Sequence, residues 1–261
     1  MSASAALGAA SLGLYAWKIE PTWAQYVERD LPIAHLPPEL QGKRLVQLSD
    51  LHVGPAVDDD YLLAAFERVA ALQPDLLVVT GDLLTHRAER RGQYEQLYEV
   101  LRHLPRAAMG SFAILGNHDY GVGWGEPLVA KRVAREAERA GLRVLRNELA
   151  PLPGLDLIGV DELLAGQAHP RAALARRSQA AALALCHNPD GVDELDWGDY
   201  QGWVLAGHTH GGQCKPPFLA PPLVPVRNKN YVAGEVEGPR GLRLYINRGL
   251  GHAVLPVRFN V

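Results

Sequence analysis

Leu76-Leu77-Val78-Val79-Thr80-Gly81-Asp82 (LLVVTGD) is an uncharged run of five residues ended by a glycine and an acid. A short apolar run rich in β-branched residues reads as a strand buried on both faces, as in the middle of a parallel sheet. The aspartate then falls at the strand's C-terminal end. Upstream, residues 44–51 (RLVQLSDL) read as a neighbouring strand. Between the two, residues 58–72 carry Leu62, Leu63, Phe66 and Val69 at helical spacing. Downstream, residues 93–104 read as a helix, 111–115 as a third strand, and 126–140 as a helix stopped by Gly141. Shorter strands are expected at 155–160, 181–186, 203–206 and 242–247. Strand–helix alternation of this kind predicts an α/β domain.

Polar clusters follow the strand ends. They are Asp50/His52, Gly81-Asp82, Gly116-Asn117-His118-Asp119, His187-Asn188 and Gly207-His208-Thr209-His210. Ligands bind at the carboxyl ends of strands in open α/β sheets, so five strands are expected to bring Asp, Asn and His to one rim. Carboxylate, imidazole and amide oxygen together form a donor set suited to Mn, Fe or Zn. A calcium cage would use oxygen alone, and a structural zinc site would be cysteine-rich. In a strand-like Asp50-x-His52, alternate side chains point to the same side, so both could meet one ion. His208 and His210 lie just beyond a strand, where the loop can aim them at different ions. Glycines 81, 116, 207, 211 and 212 are expected to let the backbone turn sharply.

The ordered set D-x-H, G-D, G-N-H-D, H and G-H-T-H-G-G, running from Asp50 to Gly212, closely resembles the calcineurin-like metallophosphoesterase superfamily. The resemblance implies a four-layer sandwich of two mixed β-sheets flanked by helices, with the metal site at the strand C-terminal ends. It also implies two divalent metal ions. One would be held by Asp50, His52, Asp82 and His210, the other by Asp82, Asn117, His187 and His208, with Asp82 bridging. On that analogy a metal-bridging hydroxide attacks phosphorus, His118 protonates the departing oxygen, and Asp119 orients or charge-stabilises His118. Arg248, in the Gly-flanked NRGLG turn, is a candidate substrate contact beside Asn117. His86 and His252 lie near matched segments and could support the ligands, whereas His35, His103 and His169 fall outside every motif.

At 261 residues, 48% hydrophobic and 21% charged, the chain can bury a sizeable core. A net charge of −3 argues against a general nucleic-acid binder and predicts no stable nucleic-acid partner. Cys186 and Cys214 are the sole cysteines and imply no disulfide framework. Residues 2–17 are uncharged and rich in Ala, Leu and Gly, with Trp17, Lys18 and Trp23 following. Residues 1–19 are therefore expected to be a membrane anchor or signal region, the alternative being a packed N-terminal helix. Residues 20–43 are a Pro-rich connector, and 44–261 the catalytic domain.

Within the superfamily, VQLSDLHVG (46–54), GNHDYG (116–121) and GHTHGGQ (207–213) resemble a membrane-associated or exported bacterial branch. That branch includes phosphodiesterases and enzymes cleaving UDP-2,3-diacylglucosamine, and it places the chain at the bacterial envelope. Such proteins usually continue past the equivalent of Val261 with another strand. The resemblance implies a phosphodiesterase or pyrophosphatase acting on a lipid-linked or nucleotide substrate. A phosphomonoesterase or nuclease, or a non-catalytic envelope-binding protein, are the alternatives. Two divalent cations, two carboxylates and a hydroxide leave roughly one positive charge, which a phosphodiester monoanion balances. The apolar, proline-rich segment 216–226 is either a rigid connector or a wall against an apolar group or membrane.

Overall fold

The computed structural model describes residues 3–253 and 255–261, with side chains from Ser11 onward. Among the described residues, ten strands form two sheets. The first holds β1 (Leu45–Leu48), β2 (Leu76–Thr80), β3 (Ser111–Ile114) and β4 (Arg143–Val144) in that order, and every pairing is parallel. The second has the order β5 (Glu148–Leu152), β6 (Leu155–Gly159), β7 (Ala181–Leu185), β8 (Trp203–Ala206), β10 (Arg243–Ile246) and β9 (Gly234–Glu237). It is mixed, because β5–β6 and β9–β10 pair antiparallel at its two edges. The first sheet is thus wholly parallel where two mixed sheets were expected. Its crossovers are the helices α2 (Asp59–Ala71), α3 (Gln93–Leu101) and α4 (Pro127–Arg139), which return the chain to the same end each time.

Side-chain alternation builds the layers. Leu76 and Val78 of β2, and Phe112 and Ile114 of β3, face Leu155, Leu157, Leu183, Leu185, Trp203 and Leu205 in a core between the sheets. Leu77, Val79 and Ala113 point the other way, into a core closed by Leu62, Phe66, Leu97 and Val133 of the helices. Ile158, Ala184, Val204 and Leu244 face a third core on the far side of the second sheet. Period-two alternation with both faces covered accounts for the unbroken apolar run at β2, where every residue is buried. Helix boundaries follow local chemistry. The Asp58 carboxylate accepts from the Asp60 N–H at the start of α2, and Pro127 opens α4.

The N-terminal helix α1 (Ala3–Lys18) precedes the connector. No helix among the described residues is long and apolar enough to cross a membrane. Met1 and Ser2, part of the expected anchor, lie outside the described residues. The connector is laid along the domain: Leu31, Ile33, Leu36 and Leu40 pack on the inter-sheet core, and the Trp203 indole donates to the Pro32 carbonyl at 2.9 Å. Two further short helices, α5 (Pro170–Leu174) and α6 (Gly191–Glu194), follow β6 and β7.

Candidate metal centre

The loops leaving β1, β2, β3, β7 and β8 converge at one end of the two sheets. Asp50, His52, Asp82, Asn117, His187, His208 and His210 are all buried there. Their atoms fall into three groups: Asp50 with His52 and His210; His52 with Asp82 and His118; Asp82 with His187 and His208. His208 and His210 therefore separate onto different groups, as expected of a loop. Asp82 Oδ2 is 3.5 Å from His52 Nε2 and 3.4 Å from His187 Nε2, so one carboxylate oxygen faces both sides. Asn117 Oδ1 is 3.3 Å from His187 Nε2.

Backbone geometry, not strand alternation, brings Asp50 and His52 together. β1 ends at Leu48, and both residues have a φ of 50°. Asp82 and His210 also have a φ of 50°, and His208 71°. Five of the seven candidate ligands thus occupy the left-handed region, which costs a residue with a Cβ about 1–2 kcal/mol. Concentrated strain of this sort is characteristic of binding sites held by their surroundings. The expected role for the motif glycines also shifts. Gly116 and Gly207 do not have positive φ; a Cβ on Gly116 would collide with the Asp82 carboxylate, and one on Gly207 with Ser49 and Asp50. Close approach fixes those two positions.

Three of the four candidate ligand rings are oriented by their second nitrogen, whereas the Nδ1 of His210 is buried without a hydrogen-bond partner. His187 Nδ1–H donates to the Thr80 carbonyl at 2.7 Å, and His208 Nε2–H to the Pro225 carbonyl at 2.9 Å. The His52 Nδ1 lies 2.9 Å from the Thr85 hydroxyl, which leaves its Nε2 turned to the cluster. Asp50 accepts the His208 N–H and, at 2.5 Å, the Ser49 hydroxyl. Thr85, Ser49, Thr80 and Pro225 escaped the sequence reading, since two act through backbone carbonyls and none has a motif of its own.

These donors suit a cation. Burial lowers His52 to about 3 and His208 to about 4, and puts His210 well below its ordinary value, so the rings keep free lone pairs at neutral pH. The Nε2 atoms of His52 and His210 nevertheless face each other at 3.1 Å, with Asp50 Oδ1 3.4 Å from the latter. Converging lone pairs and carboxylate oxygens repel one another unless they share a positive charge. His187 differs: burial opposes its proton, but Asp82, with Asp50 and Glu162, outweighs burial and raises it to about 10. Asp82 is held well below the usual carboxylate range, because His187, His118 and His52 overcome its burial. The two free thiols are not part of the cluster.

Residues 43–212, which carry all of these donors, match the family model of calcineurin-like phosphoesterases. The chain belongs to that family. The uncharacterized metallophosphoesterase YkuE of Bacillus subtilis is 31% identical, covering 94% of this chain and 85% of its own length. Phosphodiesterase YaeI of Escherichia coli is 31% identical over 96% and 90% of the two chains. UDP-2,3-diacylglucosamine pyrophosphatase LpxG of Chlamydia trachomatis is 28% identical over 81% and 79%. A metal-dependent phosphoester hydrolase is the activity of a calcineurin-like phosphoesterase domain, and the cluster supplies candidate ligands for its divalent metal.

Two further residues expected at the site have partners of their own. The Asp119 carboxylate accepts the N–H groups of Gly116 (2.9 Å), Leu84 (2.9 Å) and Leu83 (3.2 Å). It braces the Asp82 loop against the Gly116 loop; its hydrogen bonds go to backbone and not to the His118 ring. Arg248 donates to the Gln25 side chain of the connector at 2.8 Å. The next residue, Gly249, packs against Asp50 and His210, which leaves Arg248 at the rim. His118 is half-buried, its N–H on Asp82 Oδ1 at 2.9 Å and its ring 5.0 Å from that of His52. His252 is buried, and its Nδ1 lacks a partner, as does that of half-buried His86.

Proposed function

We propose that this family member hydrolyses a phosphodiester or pyrophosphate bond in a lipid-linked or nucleotide substrate, at a centre that binds two divalent ions. The observation that carries the reading is Asp82 Oδ2, which stands between His52 on one side and His187 on the other. Asp50, His52, Asp82 and His210 would hold one ion, and Asp82, Asn117, His187 and His208 the other. When bound, the ions would acidify a water and neutralise the phosphoryl oxygens. The protein's part is to fix the donors in place and to supply the proton. His118, tied by its N–H to Asp82 yet partly open to solvent, would protonate the departing oxygen. Asn117 and Arg248 are the candidates for holding the phosphoryl group. The phosphodiesterase and pyrophosphatase named among the relatives support this choice over a phosphomonoesterase. Hydrolysis of bis(p-nitrophenyl) phosphate and p-nitrophenyl phosphate, with Mn, Fe or Zn supplied and then chelated, tests it. The diester should be cleaved faster, and chelation should abolish cleavage; a preference for the monoester, or metal-independent turnover, would refute it.

The same reading includes a membrane surface at the bacterial envelope. Leu12, Leu14, Trp17, Ile19 and Trp23 are exposed around the end of α1, with Lys18 over the Trp17 ring at 3.8 Å. Phe218, Leu219 and Leu223 of the proline-rich segment, and Leu255, are exposed as well. The C-terminal strip connects the two regions: Arg258 N–H donates to Ala16, and the Gln213 side chain to Leu255. Aromatic and aliphatic side chains of this kind favour a lipid interface. Replacing Leu12, Leu14 and Trp17 together by Ser should lower partitioning onto lipid vesicles by about tenfold or more. Hydrolysis of a small soluble diester should stay within about twofold. Unchanged vesicle binding in a co-sedimentation assay would count against this surface.

A further inference from the structure

Of the four candidate ligand rings, His210 alone lacks a hydrogen bond to its second nitrogen, and packing holds it instead. Residues 248–251 (RGLG) follow β10 and lie against the segment that carries Asp50. A Cβ on Gly249 would fall 2.7 Å from the Asp50 Cβ and 3.3 Å from His210 Nδ1, so bare backbone touches both ligands there. A Cβ on Gly251 would collide with the Leu51 carbonyl oxygen. The Leu250 N–H donates to the Ser49 carbonyl at 2.9 Å, and the Gly251 N–H to the Asp50 carbonyl at 2.8 Å. Asp50 and His210 both have a φ of 50°, a conformation that persists where the surroundings enforce it. The 248–251 turn is the surrounding that the two share.

The turn is itself held by side chains that belong to none of the motifs. Arg258 is buried, and its Nη2 donates to the carbonyls of Arg248 (2.7 Å), Gly249 (2.9 Å) and Gly251 (2.8 Å). The remaining carbonyl, of Leu250, accepts the hydroxyl of Tyr61 in α2 at 3.1 Å. Every carbonyl of 248–251 is therefore engaged by one of two side chains, and the charge on Arg258 strengthens its share. The backbone N–H of Arg258 donates to the Ala16 carbonyl of α1 at 2.9 Å, which anchors the arginine from the other side. Among the described residues, the hydrogen bonds of 248–251 reach none of Asp82, Asn117, His187 and His208.

Building on the two-ion reading above, we propose that Arg258 and Tyr61 are positioning residues for one half of the centre. They clamp the 248–251 turn against Asp50 and His210, and so support the ion at Asp50, His52 and His210 but not the ion at His187 and His208. Both act through the turn and not on the ion. Without the clamp, buried carbonyls lose their donors and the turn shifts. Asp50 and His210 then relax from the left-handed region, and the donors no longer converge before an ion arrives. Residues that orient metal ligands in this way typically change metal affinity by about 10- to 100-fold.

The test is Mn binding to the full chain stripped of metal, followed by calorimetric titration and by electron paramagnetic resonance. Arg258→Met should weaken one ion by roughly 10- to 100-fold and leave the affinity of the other within about twofold. At an Mn concentration that fills both wild-type sites, the signal of a spin-coupled pair should give way to that of an isolated ion. Arg258→Lys supplies a cation of shorter reach and should recover part of the loss. Tyr61→Phe removes one hydroxyl and keeps the ring, and should weaken the same ion by about 3- to 10-fold. Equal weakening of both ions, or of neither, would overturn the clamp and leave the two-ion centre standing. Should Arg258→Met fail to fold, Tyr61→Phe decides by the same criterion. Wild-type protein that binds a single Mn ion would overturn the two-ion reading, and the clamp with it.

Discussion

Asp82→Ala is expected to remove both ions and to lower kcat/KM by at least about 10³-fold. Several kcal/mol of charge stabilisation depart with the cations, and each 1.4 kcal/mol is tenfold in rate. The carboxylate is shared: Oδ2 faces His52 and His187, while Oδ1 holds the His118 N–H. Among the described residues Asp82 is the carboxylate whose oxygens group with ring nitrogens on both sides, so His52→Ala should weaken one ion and spare the other. Asp82→Asn separates the two functions, because an amide oxygen can still accept the His118 N–H but lacks the charge. Metal content measured on the purified variants checks this. Asp82→Ala protein with an undiminished metal content would mean that the bridge lies elsewhere.

The second large effect isolates His118. A general acid matters in proportion to how badly the leaving oxygen needs a proton. An alkoxide must be protonated as the P–O bond breaks, whereas a nitrophenolate departs readily as an anion. His118→Asn should slow an alkyl diester by about 10²–10⁴-fold, and a nitrophenyl diester much less, with metal content unchanged. The basic limb of the pH–rate profile should fade in the variant. Equal slowing of both esters would assign His118 to phosphoryl binding. Loss of metal would make it a ligand, an outcome kept open by its place in one group with His52 and Asp82.

Much of the architecture was legible because its signals are periodic. Leu76–Thr80 reads as a buried strand from its apolar run, and α2 from the spacing of Leu62, Phe66 and Val69. β4 has two residues, too few for a period, and β5 contains Pro151, which weakens a strand reading but suits the edge it occupies. β9 alternates half-buried and exposed residues at the other edge, where little apolar patterning is needed. At the site, residue types and their order identified the converging side chains, but not how they converge. The left-handed turns at Asp50, His52, Asp82, His208 and His210 place residues with side chains where glycine is usual, so no composition rule announces them. Asp119 shows the same limit: its position beside His118 in sequence suggested a link between the rings and the acid, yet its carboxylate turns to three backbone N–H groups that only the folded loops bring near.

The central claim is a two-ion centre bridged by Asp82. A crystal structure of metal-loaded protein, with anomalous scattering measured at the edges of Mn, Fe and Zn, tests it most directly. Two peaks about 3.5–4 Å apart, with Asp82 between them, are the predicted result. His52 and His210 should flank one peak, and His187 and His208 the other. A single zinc peak held by Cys186 and Cys214, with nothing at Asp82, would contradict the account.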